Sequence, residues 1–215
     1  MRKTMMLLLA VLGALLVATP AATADPNKSV TISASKPVVV YGQSVTLSGK
    51  ISTTPQSGLK VSGQKVDILA QPFGHTTMSA LSTTETTAEG QWTFDVKPTI
   101  ETIYQARWTS ETSSTVSVKV RPAITLTLVR VRGRVATFAT TAIAARAFAG
   151  KFVNVQRVTS FGSTTLKKVT LDTNSKATFK VRLSHKSTRL RVVMPTSQAA
   201  PGYITGFSNV LIARR

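Results

Sequence analysis

Cysteine is absent from the 215 residues, and histidine occurs only at His75 and His185. Those counts limit the chemistry at once. A cysteine nucleophile is impossible. A zinc site needs three or four close His, Cys or carboxylate ligands. The two histidines stand in separate polar stretches, "FGHTT" and "LSHKST", without ligand-spaced partners. Serine is abundant, but no G-x-S-x-G turn occurs, and neither histidine has an acid nearby to complete a triad. Glycoside chemistry needs paired carboxylates. Asp67, Glu85, Glu89, Asp95, Glu101 and Glu111 are scattered over strands and turns, and Asp172 is the single acid after residue 121. No D-x-[DN]-x-[DN]-G calcium loop is present. The Gly150-Lys151 pair fails as a phosphate loop, because that motif needs G-x-x-x-x-G-K-[ST] between a strand and a helix. Here position 145 is Ala, position 152 is Phe, and a strand pattern follows. The expectation is no catalytic residue, no metal and no cofactor. A secreted hydrolase with an unrecognised site is the enzymatic alternative.

Charge is the feature that remains. Residues 25–121 carry nine Lys+Arg against seven Asp+Glu, a net of +2. Residues 122–215 carry sixteen against one, a net of +15. Arg2 and Lys3 bring the chain to its formal +19. Such asymmetry predicts two regions with different surfaces and an acidic partner for the second. Arg130, Arg132 and Arg134 alternate with Val129, Val131 and Gly133. Lys180 and Arg182 alternate with Phe179, Val181 and Leu183, and Arg189 and Arg191 flank Leu190. At period two these cations lie opposite the core side of their strands. Arg157, Lys167 and Lys168 add to them. These ten are the candidate anion-binding residues. Because the strands are expected in different sheets, their charge is expected to coat two outer faces rather than one groove.

Two readings of that charge stand. One is a solvated face that aids solubility and discourages edge pairing. The other is attachment to an anionic cell-wall or surface polymer, or to another envelope protein. Nucleic acid is the weaker partner, since the basic strands lack interleaved exposed aromatics for base stacking. "AAPGYITGFSN" is the one loop that could present aromatics, Tyr203 and Phe207.

The elements that must position these residues are strands. Residues 1–24, "MRKTMMLLLAVLGALLVATPAATA", have a charged start, an apolar run and a small-x-small end, as in an export signal cut before Asp25. No second long apolar run follows, so the mature chain is expected to be secreted or envelope-associated, without an integral membrane segment. An exported chain without cysteine fits a bacterial protein better than a eukaryotic one. After the signal come seven short runs rich in Val, Ile and Thr up to residue 121. Seven more follow Pro122, each bounded by turn residues. That density predicts all-β sandwiches, over residues 25–121 and 122–215, joined end to end by the short "KVRPAIT" linker with limited swing.

The two parts repeat. "SGQKVDILAQPFG" aligns with "AGKFVNVQRVTSFG", "GQWTFDVKP" with "SKATFKVRL", and "YQARW" with "LRVVM", at a period of about 86 residues. "VVVYGQSVTLSGKI", "GQKVDILAQPFG", "EGQWTFDVKPTIETIYQARW" and "STVSVKVRP" resemble the bacterial Ig-like domains of secreted actinobacterial proteins. "AGKFVNVQR", "GSTTLKKVTL", "TRLRVV" and "PGYITGFSN" are similar to the domain that often follows. The resemblance covers nearly all of residues 29–215 and implies two tandem Ig-like β-sandwiches of non-catalytic type, a structural or binding module or an accessory or stalk subunit. It specifies no ligand.

Within that fold Gly42, Gly49, Gly63 and Gly90 are expected at strand ends. Tyr104 is expected at the corner that Ig-type sandwiches reserve for tyrosine. Val66, Ile68, Trp92, Phe94 and Val96 are the expected core of the first part. Val153, Val155, Phe179, Val181, Leu190 and Val192 are that of the second.

Overall fold

The computed structural model describes residues 28–55 and 58–215. The expected export signal at residues 1–24 lies outside the described residues. The first set of strands is β1 (Lys28–Val30), β2 (Ser33–Ala34), β3 (Val38–Val40), β4 (Val45–Thr53), β5 (Lys65–Pro72), β6 (Ser79–Glu85), β7 (Gln91–Val96), β8 (Thr102–Trp108), β9 (Glu111–Thr112) and β10 (Val116–Arg121). The second set is β11 (Ala123–Arg132), β12 (Val135–Ile143), β13 (Phe152–Thr159), β14 (Gly162–Thr170), β15 (Lys176–Arg182), β16 (Ser187–Met194), β17 (Gly206–Phe207) and β18 (Leu211–Arg214). A single helical turn, α1 (Thr196–Ala199), precedes β17. The chain is all-β, as the alternation requires.

Strand pairing changes over between Arg121 and Ala123. In the first set β1, β2 and β7 all pair with β4, and the order β3-β10-β8-β5-β6, with β9 on β8, makes the other sheet. In the second set the sheets are β11-β12-β15 and β14-β13-β16-β17, with β18 also on β16. No strand of one set pairs with a strand of the other among the described residues. Among the described residues the β3–β10 pair alone is parallel; the other ladders are antiparallel.

The pairing repeats as the sequence does. The ladders β4–β7, β5–β6, β5–β8 and β8–β10 have counterparts in β12–β15, β13–β14, β13–β16 and β16–β18. Even the irregularities correspond. The β5–β6 ladder shifts register between Ile68 and Leu69, and the β13–β14 ladder between Val155 and Gln156, which are aligned positions. One extra residue at a bulge bends and twists its strand, so both hairpins are bent at the same place.

The alternating apolar residues fill the space between sheets. Val45, Leu47, Trp92 and Val96 belong to the same buried cluster as Val66, Ile68, Tyr104, Ala106 and Trp108. Val153, Val155, Phe179, Val181, Leu190 and Val192 are buried in the second set. Phe94 is half-buried at the margin instead. Phe138 stacks on Phe179 at 5.7 Å between centroids. Gly42, Gly63 and Gly90 take positive φ in turns. Gly49 does not end a strand: it lies inside β4, where a Cβ would come within 1.9 Å of the Thr31 carbonyl oxygen and 2.7 Å of the Trp92 ring. Its smallness is what lets Thr31 and the buried Trp92 close over β4.

The two sets of strands are also tied by the segment after α1. Glu101 N–H donates to Gly202 O (3.0 Å), Ile204 N–H to Val120 O (3.0 Å) and the Tyr203 hydroxyl to Thr99 O (2.7 Å). The Arg121 guanidinium donates to Thr205 O. Arg146 reaches the same segment, donating to Ala199 O at 2.6 Å and lying over the rings of Phe148 and Tyr203. Tyr203 and Phe207 therefore split in role. Tyr203 is buried in the junction, and Phe207 is exposed between Arg121 and Arg191, 5.1 and 5.4 Å from their guanidinium carbons.

Candidate functional site: a cationic pole

Register places the cations. On the β11-β12-β15 sheet Arg130 stands opposite Thr137, which stands opposite Lys180. Two residues on, Arg132 faces Val135, which faces Arg182. Directly opposed residues in an antiparallel ladder project to one face, so Arg130, Arg132, Lys180 and Arg182 share the outer face of this sheet, and all four are exposed. β11 and β15 are thus in one sheet, while β16, with Arg189 and Arg191, lies in the other, so the basic strands divide between two sheets as expected. β12, the intervening strand, pairs both β11 and β15.

The turn after β11 carries Arg134, whose carbonyl accepts from Leu183 N–H at 2.7 Å. That bond brings the loop after β15, with His185 and Lys186, to the same end. Ser187 then pairs with Arg214, and Arg215 N–H donates to Lys186 O. On the other sheet β13 ends at this level too. Arg157 stands across from Leu190, and Arg157, Val158, Thr159, His185, Ser187, Thr188 and Arg189 line one recess of about 360 Å³. The tip of the β13–β14 hairpin beside it exposes Phe161 completely. One end of the second strand set therefore gathers Arg132, Arg134, Arg157, Arg182, Lys186, Arg189 and Arg214.

The junction lies at the other end. So does Asp172, the only acid of this half, whose carboxylate accepts from the backbone N–H groups of Asn174 and Lys176 at 2.8 Å each. The pole is consequently a field of one sign. Lys167 and Lys168 extend it along the side, sharing with Lys180 and Thr137 a second recess between β14 and β15. Arg191 is the candidate least free to act. It donates to Gln156 Oε1 at 2.9 Å and Ser163 Oγ at 3.1 Å, and it covers Phe207.

Lys186, Arg214, Thr188 and Phe161 were not legible as site residues. Their membership depends on β18 pairing with β16 and on the loop that meets the β11–β12 turn, neither of which leaves a local pattern. The histidines do not meet: His75 sits in the turn after β5, by the junction, and His185 at the pole. Among the described residues no three His, Asp or Glu side chains are grouped to hold a metal. No helix there is long and apolar enough to cross a membrane.

The chain is an all-β protein of paired sheets around a buried apolar core, with one strongly cationic end. No protein-family model matches it, and no curated protein matches it in sequence. Among solved structures it is similar to a tetra-tandem repeat in the extending region of a large adhesion protein, at 14% identity and a TM-score of 0.35 over 87% of this chain and 49% of that one. It is similar to the chicken interferon gamma receptor alpha chain at 11% identity and a TM-score of 0.45, over 89% and 98% of the two chains. A Parabacteroides merdae beta-glucuronidase gives 14% identity and a TM-score of 0.29 over 90% and 25%. The chain spans about half the length of the adhesion-protein repeat. None of the three bears on what this chain binds.

Proposed function

We propose that this protein is a non-catalytic β-sandwich module of the bacterial envelope that holds an anionic wall or surface polymer at its cationic pole. The observation that carries this reading is the convergence of Arg132, Arg134, Arg157, Arg182, Lys186, Arg189 and Arg214 from six separate stretches onto one end, away from Asp172. Charge spread only for solubility has no reason to converge, and like charges brought together destabilise the compact state. A single-sign field pays for that repulsion when a polyanion neutralises it and counterions are released.

Co-sedimentation of the purified protein with cell walls tests the reading. Binding is expected at low ionic strength and release as salt rises past the Debye-screening range. Neutralising Arg132 and Arg182 with glutamine should lower the slope of log affinity on log salt by about one each. Neutralising Lys36 and Lys97, which lie in the first half, should leave it unchanged. Binding that ignores salt, or that responds equally to both pairs, rejects the pole as the attachment surface.

A further inference from the structure

The recess at the pole is a place where two neighbouring strands part. β13 and β16 pair from Asn154–Val193 to Arg157–Leu190 and no further. Beyond that point β13 turns to β14 through Val158–Ser163 and Thr159–Gly162, while β16 follows β18 through Ser187–Arg214, Thr188–Ala213 and Arg189–Ile212. The gap between the separated strands is the 360 Å³ recess. Its rim is exposed at Thr159, His185, Ser187 and Arg189.

Two polar atoms of its lining residues have no hydrogen-bond partner though they are buried: Arg157 Nε and Thr188 Oγ1. Thr188 is only 5% exposed. Burying a hydroxyl or a guanidinium N–H without a partner is costly. Among the described residues Trp92 Nε1, Trp108 Nε1, Arg146 Nε and Asn154 Oδ1 are unpartnered elsewhere, but only at the recess do two such atoms belong to residues that line one opening. Here Arg157 Nε can only donate and the Thr188 hydroxyl can donate, the flanking charge is Arg157 and Arg189, and the single acid of this half is at the opposite end.

We propose that this recess binds one phosphate-type oxyanion between Arg157 and Thr188, with Arg189 at the rim. The inference rests on the pole as an anion-binding surface and names the group it grips. A tetrahedral oxyanion offers acceptors in several directions, so it meets donors arriving from β13 and from β16. A planar carboxylate takes its donors in one plane. The same chemistry is presented by a phosphodiester of a wall polymer and by free phosphate.

The probe is inorganic phosphate, titrated calorimetrically and by thermal unfolding at ionic strength held constant with chloride. Phosphate should raise the unfolding temperature where chloride does not. Arg157→Gln and Thr188→Val should each weaken phosphate binding about tenfold, while Lys97→Gln, in the first half, leaves it unchanged. Thr188→Val should also melt no lower than the parent in phosphate-free buffer, because it deletes an unpartnered hydroxyl. A fold-wide defect would lower it instead. Phosphate acting no better than chloride, or Lys97→Gln costing as much as Arg157→Gln, overturns the recess and leaves the polymer reading intact. Walls carrying phosphodiester polymer separate the sources. Wall binding lost in Arg157→Gln and Thr188→Val assigns the recess to the polymer's phosphates, and wall binding indifferent to them, with phosphate still bound, assigns it to the free anion. No wall binding at all, with phosphate still bound, removes the polymer reading and upholds the recess.

Discussion

Ser175 holds a positive φ of 58° where the aligned residue of the first repeat is Gly90, at 76°. The bonding around them matches: Gly90 N–H donates to Thr87 O and Ser175 N–H to Asp172 O, each at 3.0 Å, and their carbonyls accept from Ile51 and Ala142. A side chain in that region costs energy. Ser175 offsets it through Oγ, which accepts from the buried Phe148 N–H at 2.7 Å. Ser175→Ala should therefore lose about 1–3 kcal/mol, keeping the strain while orphaning the Phe148 amide. Ser175→Gly should lose less; urea unfolding of the two variants checks the order. At Asp67 the Arg107 guanidinium, 2.8 Å away, holds the carboxyl below its ordinary value, with burial opposing it. A depressed carboxylate pKa stabilises the fold above the unfolded value and loses that contribution as pH falls through the folded one. The pair is exposed, so the stability effect is small. NMR titration should show Asp67 protonating at lower pH than an ordinary aspartate, and Arg107→Gln should move it up.

At the scale of elements, β4 shows how one small residue serves a whole sheet. It carries β1, β2 and β7 as partners, and Gly49 is where the Thr31 backbone and the Trp92 ring approach it. Gly49→Ala should cost about 3 kcal/mol by overpacking against a backbone oxygen that cannot rotate away. A much smaller loss in urea unfolding would mean that the Thr31 segment shifts freely. β14 shows the reverse, an element defined by what it leaves open. It is an edge strand, exposed at every position except Val169, and it carries Lys167 and Lys168. Edge lysines discourage strand addition by other chains. These two therefore serve solubility by position, whatever they add to the pole; Lys168 in addition lies 4.7 Å from the Phe152 ring centroid.

At the scale of the molecule, the junction and the pole occupy opposite ends of the second strand set. The junction rests on Gly202, at φ 77°, where a Cβ would meet Ile100 at 2.5 Å. Gly202→Val should lift the segment off the first half and break the Glu101–Gly202 and Ile204–Val120 bonds. Hydrogen exchange should then quicken at the Glu101 and Ile204 amides while those of β12 and β16 stay protected. Equal exchange at both places would mean that the ties survive the substitution. With these ties in place, the segment after α1 joins the two strand sets at the end opposite the pole.

Much of the architecture was legible from the chain alone. Period-two alternation, turn residues and the repeat at about 86 residues are local or nearly local signals, and they located most strands, part of the core and the basic surplus after Pro122, but not the fully buried Trp108, Phe138, Phe148 and Met194. Short β3, β9 and β17 and the turn α1 were missed because two to four residues carry no periodicity. The side of each strand that bears charge follows from the pleat, so Arg130, Arg132, Lys180 and Arg182 were identifiable as outward residues. Which strands lie beside each other does not follow from it. Pairing is decided by burial of the whole apolar set against the entropy of closing long loops. Only the folded chain shows that β12 joins β11 to β15, that β18 brings Arg214 to Ser187, and that β13 and β16 part to leave Arg157 Nε and Thr188 Oγ1 without partners. The sequence determined how much positive charge this protein carries and on which strand faces; the tertiary structure alone decided that it meets at one end.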